Sequence, residues 1–107
     1  DTDNLFENNH VYENGYQGVL FRDETEENSG HRNTFTNNVI ENNGVTQESS
    51  GFYIGGETHD INITNNTIRS SGKGNQSTAI FVGSKSSKIT AGNNKISGAK
   101  EIVYEKK

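Results

Sequence analysis

The sequence predicts an all-β solenoid of about four coils, each made of three short strands. Three observations predict it. An Asn-Asn pair recurs as Asn8-Asn9, Asn37-Asn38, Asn65-Asn66 and Asn93-Asn94, and its second members step by 29, 28 and 28 residues. A repeat of that length means stacked copies of one unit. The apolar residues around the pair recur in register, with Phe6, Phe35, Ile63 and Ala91 before it and Val11, Ile40, Ile68 and Ile96 after it. Within each segment apolar residues alternate with polar ones, which is strand periodicity, and no helical period runs through any unit.

Each unit holds three segments. One leads into the pair and one follows it. The third is a small residue and an apolar run: Gly18-Val19-Leu20-Phe21, Gly51-Phe52-Tyr53-Ile54 and Ala79-Ile80-Phe81-Val82. Glu101-Ile102-Val103-Tyr104 keeps the run and loses the small residue. The segments differ in type and return in the same order, which disfavours a flat array of hairpins. A coil accounts for them, with each strand parallel to its copy about 4.8 Å away in the next turn. In that coil the first member of each pair alternates with the inward Phe or Ile. Asn8, Asn37, Asn65 and Asn93 are therefore expected to point inward, their amides hydrogen-bonding along the axis. The second member is expected to turn the corner, because Asn tolerates the left-handed backbone.

Taken in order, Asp1-Thr2-Asp3 is too short and polar to cap the apolar layer of Phe6, and solenoids need such a cap. The expectation is that residues 1–107 form a single β-helix domain that is the C-terminal part of a longer one, its N-terminal coils missing, or that pairs with a second chain. Coil one has a tight corner at Gly15-Tyr16-Gln17 and a long charged loop from Arg22 to Arg32. Coil two moves the excess length to Val45–Ser50 and has the shorter loop Gly55–Asp60. Coil three has loops at Gly72–Thr78 and Gly83–Lys88. The fourth is abbreviated, and Lys100, Glu101, Glu105, Lys106 and Lys107 charge the last edge, a common device against further strand addition.

Only 27% of the residues are hydrophobic, which in an ordinary globular chain points to disorder. A solenoid escapes this, since its core is a narrow file of stacked residues and its ladders order the rest. With no Cys there is neither a disulfide framework nor a thiolate metal site. A net charge of −4 and scattered basic residues argue against a nucleic-acid partner, and no stretch is apolar enough to span a membrane as a helix.

The pattern resembles the right-handed parallel β-helix repeats of the pectate-lyase-like superfamily. The residues carrying the resemblance are Asn33-Thr34-Phe35-Thr36-Asn37-Asn38-Val39-Ile40, Ser50-Gly51-Phe52-Tyr53-Ile54-Gly55-Gly56 and Ile61-Asn62-Ile63-Thr64-Asn65-Asn66-Thr67-Ile68. The resemblance covers nearly the whole chain. It implies a polysaccharide as partner and an extracellular, cell-surface or periplasmic location. That superfamily includes polysaccharide lyases, glycoside hydrolases, epimerases, phage tailspikes and adhesins, so the fold does not choose among them. A purely structural role for these coils also stays open. No catalytic motif of the superfamily is present, so no catalytic residue is carried over.

Candidate site residues follow from the alternation and the resemblance together. If Val19 and Phe21 point inward, so do Phe52, Ile54, Ile80, Val82, Ile102 and Tyr104. Leu20, Tyr53, Phe81 and Val103 then form an outward apolar stripe. One reading is a sugar-stacking platform, with Tyr53 and Phe81 as substrate-binding residues and His59 near them; the other is a face covered by a loop or tail. By resemblance the cleft lies on this sheet, and a site belongs near the ends of Phe21, Ile54 and Val82. A lyase needs a base and a cation or Ca²⁺ to neutralise the substrate carboxylate; Arg22 or Lys85 are candidates for the base, with an acidic loop holding Ca²⁺. A hydrolase needs paired carboxylates, for which Asp23 or Glu24 with Glu57 are candidates. Asp23, Glu24, Glu26 and Glu27 supply oxygen ligands suited to Ca²⁺, although their spacing is not an EF-hand.

Overall fold

The computed structural model describes residues 2–72 and 74–105. It is a right-handed parallel β-helix. Twelve strands follow one another: β1 (Leu5–Glu7), β2 (His10–Tyr12), β3 (Val19–Phe21), β4 (Thr34–Thr36), β5 (Val39–Glu41), β6 (Ser49–Ile54), β7 (His59–Thr64), β8 (Thr67–Arg69), β9 (Gln76–Val82), β10 (Ser87–Gly92), β11 (Lys95–Ser97) and β12 (Lys100–Tyr104). They form three parallel sheets of four strands, in the orders β1-β4-β7-β10, β2-β5-β8-β11 and β3-β6-β9-β12. Three full turns separate β1 from β10, and β11 and β12 carry the chain most of the way round again. The long loop after β3 contains a single 3-10 turn, Glu26–Asn28.

The registers are those the repeat demands. Phe6 pairs with Phe35, Phe35 with Ile63 and Ile63 with Ala91; Val11, Ile40, Ile68 and Ile96 stack in the second sheet. Val19, Phe52, Ile80 and Ile102 stack in the third. The Phe6 and Phe35 rings are parallel, with centroids 4.6 Å apart. The core is this file, with Phe35, Ile40, Phe52, Ile54, Ile61, Ile63, Ile68 and Ile80 buried. Each such burial contributes about 1.5–3 kcal/mol. Tyr104 occupies the inward column beside Val82 and, on the last strand among the described residues, is 62% exposed. Lys106 and Lys107, expected to charge the last edge, lie outside the described residues.

The roles expected within the Asn pair are reversed. The first members, Asn8, Asn37, Asn65 and Asn93, turn the corner, with φ between 54° and 60°, and are exposed. The second members form the inward ladder. Asn38 donates its backbone N–H and its Nδ2 to Asn66 Oδ1, at 2.9 and 3.0 Å. Asn9 does the same to Asn38, and Asn66 to Asn94. Each Nδ2 also reaches back to a carbonyl one coil earlier: Asn38 to Phe6, Asn66 to Phe35 and Asn94 to Ile63. The reversal has a physical cause. Strand alternation holds only while the backbone is extended; one left-handed residue turns the chain at once and sends the following side chain inward.

Two shorter ladders repeat the device at the other corners. Asn4 donates to Asn33, and Asn14 to Asn43, which in turn donates to Gln76. A fourth column stands on the surface. Asp3, Arg32, Asp60 and Lys88 all have positive φ, stack one per coil and alternate in sign. Arg32 grips Asp3 through two nitrogens at 2.8 and 3.1 Å, which holds the Asp3 carboxyl below its ordinary value.

Asn66→Ala removes the acceptor of the Asn38 N–H and of one Asn38 Nδ2 proton, together with the Nδ2 bonds to Asn94 Oδ1 and the Phe35 carbonyl, and should cost about 3 kcal/mol or more. Asn65→Ala should cost only about 1 kcal/mol, from the left-handed backbone alone, and Asn65→Gly close to nothing. Denaturant midpoints of the three variants check this ranking; equal losses for Asn65→Ala and Asn66→Ala would contradict it.

Candidate carbohydrate-binding face

The third sheet presents the outward stripe in register: Leu20 pairs with Tyr53, Tyr53 with Phe81 and Phe81 with Val103. The Tyr53 and Phe81 rings stack at 5.0 Å with an interplanar angle of 15°. Parallel register is the cause, since identical positions on neighbouring strands bring flat side chains face to face. Leu20 is 49% exposed, and the other three are half-buried.

A hollow flanks the stripe on either side, and Tyr53 lines both. One, about 360 Å³, is floored by Tyr53, Phe81 and Val103 and walled by Gln17, Glu48, Ser49, Ser50, Ser77, Thr78 and Lys100. The other, about 400 Å³, lies where the strands of this sheet end, and is lined by Asp23, Glu24, Thr25, Tyr53, Gly56, Glu57, Gly83, Ser84, Lys85 and Glu105. The face is therefore a shallow trough with aromatic rings in its middle and polar groups at both ends.

The acidic end is built by loop closure. Asp23 Oδ1 accepts the Gly56 N–H at 2.9 Å, Glu57 Oε1 accepts the Glu26 N–H at 2.7 Å, and Glu105 Oε1 accepts the Ser84 N–H at 2.9 Å. Each carboxylate thus ties one loop to the next. Gly55 makes room for this: a Cβ there would lie 2.3 Å from Asp23 Oδ1 and 2.8 Å from Tyr53 Cε1. Burial raises the Tyr53 phenol above its ordinary value, and the charges of Asp23, Glu105 and Tyr16 add to the effect. At neutral pH Tyr53 therefore keeps its proton and can donate it in a hydrogen bond.

The structure brings Asp23, Glu24, Glu57 and Lys85 together with Tyr53 but separates the other candidates. Phe81 lines only the first hollow. Arg22 lies near Glu24, at 3.6 Å, and lines an opening at the N-terminal end of the coil. His59 stacks on the buried His31 at 3.8 Å, with its Nδ1 2.6 Å from Asp60 and its Nε2 3.7 Å from Glu26. His31 Nε2 meets the Glu26 carbonyl and its Nδ1 accepts the His59 N–H, so His31 is the Nε2–H tautomer. These histidines pin the long loop to β7. Asp23 accepts from Gly56, Glu24 lies near Arg22 and Glu26 near His59, and among the described residues no three carboxylate or imidazole side chains gather to hold a metal.

Sequence reasoning missed Glu105, Gln17, Glu48, Ser77 and Lys100 as site residues. Extending the aligned apolar runs by one position at the C-terminal end sets Arg22, Gly55, Gly83 and Glu105 side by side, which was the available signal for Glu105. A further charged cluster lies outside the second sheet. Glu41 accepts Arg69 at 2.9 Å and also meets His10, and Arg69, then His10, hold its carboxyl below the ordinary range. It is a solvent-facing brace between coils.

The Tyr53 phenol should titrate above 10.0, and Asp23→Asn should bring it part of the way back. The difference in tyrosinate absorbance between the protein and its Tyr53→Phe variant measures this. A Tyr53 titration unaffected by Asp23→Asn would separate the two groups.

Residues 1–101 match the family described as right handed beta helix region. Comparison with curated proteins and with solved structures gave no match. Fold, register and this match over nearly the whole length agree, and the chain belongs to the right-handed beta helix family.

Proposed function

We propose that the trough on the third sheet binds a polysaccharide, and that these coils belong to an extracellular, cell-surface or periplasmic carbohydrate-recognising β-helix protein of the pectate-lyase-like kind. The Tyr53–Phe81 pair carries the reading. Two parallel rings, one per coil, offer an apolar surface to the flat face of a pyranose ring, and the polar groups at both ends of the trough suit its hydroxyls. Charge favours a neutral glycan over a uronan, because Asp23, Glu24, Glu57 and Glu105 outnumber Lys85 in the end hollow. A lyase reading is also weakened by the position of Arg22, which faces the other opening.

Hydrolysis is the second reading, favoured by one observation: Asp23 and Glu57 line the same hollow beside Tyr53. Each has one oxygen engaged by a backbone N–H, which fixes its position and leaves its second oxygen for a substrate.

Titration of neutral glucan and xylan oligosaccharides should give saturable binding, weakened about tenfold or more by Tyr53→Ala or Phe81→Ala. Unchanged affinity in both variants would rule the trough out. Release of reducing ends, abolished by Asp23→Asn or Glu57→Gln with binding retained, would establish hydrolysis; an ultraviolet-absorbing product from a uronan would establish a lyase instead.

A further inference from the structure

Two kinds of contact hold the long loop after β3 to the next coil, and acid acts on them differently. Near the trough the ties use carboxylates and main chain. Asp23 Oδ1 accepts the Gly56 N–H, Glu57 Oε1 accepts the Glu26 N–H, and the Glu57 N–H donates to the Glu24 carbonyl at 3.0 Å. The other tie is an imidazole. His31, only 7% exposed, donates its Nε2–H to the Glu26 carbonyl at 2.7 Å and accepts the His59 N–H on Nδ1 at 3.2 Å. It joins the 3-10 turn of the loop to the first residue of β7.

That bridge requires the neutral ring. A second proton would sit on Nδ1 and point at the His59 N–H, turning the acceptor into a donor. Neither ring nitrogen of His31 meets a carboxylate among the described residues. The charges around it belong to its neighbours. His59 stacks on it at 3.8 Å, with Nδ1 2.6 Å from Asp60 and Nε2 3.7 Å from Glu26. Arg32 follows His31 in the chain and grips Asp3, whose N–H donates to the His31 carbonyl at 3.1 Å. Beyond His59, Ser87 continues its column, with Lys88 next in the chain. Below the histidine range both rings are cationic and face each other, where like charges repel. Glu26 and Asp60 offset the charge on His59, and no carboxylate does so for His31.

We propose that His31 is an acid-released clip: protonation of its ring frees the loop from Arg22 to Arg32 from β7 and opens the hollow that this loop walls. The loop supplies Asp23, Glu24 and Thr25 to the hollow beside Tyr53. Imidazoles titrate near pH 6.5 and carboxylates about two units lower, so the imidazole tie fails before the carboxylate ties do. The contact is complete above the histidine range and lost as the pH falls through it. The consequence for glycan binding rests on the trough reading above; the release of the loop does not.

Cleavage by a glutamate-specific protease after Glu24, Glu26 or Glu27 reads the release. The comparison at each pH is His31→Gln, whose amide can accept from His59 and donate to Glu26 without titrating. Between about pH 8 and about pH 5.5 the wild-type rate should rise about tenfold relative to His31→Gln, with far-ultraviolet circular dichroism unchanged. The His59 backbone amide should lose its exchange protection in step with the NMR titration of the His31 ring. If His31→Gln does not fold, that wild-type measurement decides alone. Equal rates at every pH overturn the clip. Protection kept until carboxylates titrate near about pH 4, or unfolding of the whole coil in the histidine range, overturns it equally. Titration of neutral oligosaccharides at the same two pH values separates the clip from the trough. Affinity about tenfold weaker in acid for the wild type, and unchanged for His31→Gln, supports control of the site. Loop release with no binding at either pH leaves the clip standing and rejects the trough. Release with unchanged affinity rejects the control.

Discussion

A buried side-chain amide must satisfy two donors and one acceptor, or it costs more than it returns. In this fold that demand is met by the side-chain amides of the adjacent coils and a backbone carbonyl one coil back. Asn38 and Asn66 are almost fully buried, and every polar atom of their side chains is engaged by the neighbouring coils. The ladder therefore fixes coil height and register together. A slip of one residue would replace an amide by an apolar or exposed neighbour and leave several groups unpaired. This explains how a chain with so few apolar residues holds one structure: polar specificity supplies what a thin core lacks.

Everything at the candidate site inherits that register. Tyr53 lies against Phe81 because β6 and β9 are locked in step, and Asp23 reaches Gly56 because β3 and β6 end in register on adjacent coils, so the loops after them start side by side. The strand pairing and the ladders fix the register of the residues that line the trough.

Much of the fold was legible because a repeat shows its own alignment. The columns of Phe35, Ile40 and Phe52 and the outward stripe of Tyr53 and Phe81 could be read without coordinates. The Asn pair was misread because alternation was carried one residue too far, through Asn37, where the backbone leaves the extended region. The site was only half legible. Tyr53 and Phe81 lie inside the repeat. His59 does not belong to the trough, because it opens β7 in the first sheet, in register with Ser87 and stacked on His31. The reach of the loop from Arg22 to Arg32 depends on three-dimensional contacts that no period reports, whereas His31 and His59 stand one repeat apart and their stacking could have been read from the period.

The most direct test of the central claim is hydrogen exchange of the asparagine side-chain amides by NMR. If the second member of each pair is the rung that holds the coils together, the Nδ2 protons of Asn38 and Asn66 exchange as slowly as the backbone amides of β5 and β8, while those of Asn37 and Asn65 exchange rapidly. Slow exchange at Asn37 and Asn65 with rapid exchange at Asn38 and Asn66 would contradict the account and restore the opposite arrangement of the pair.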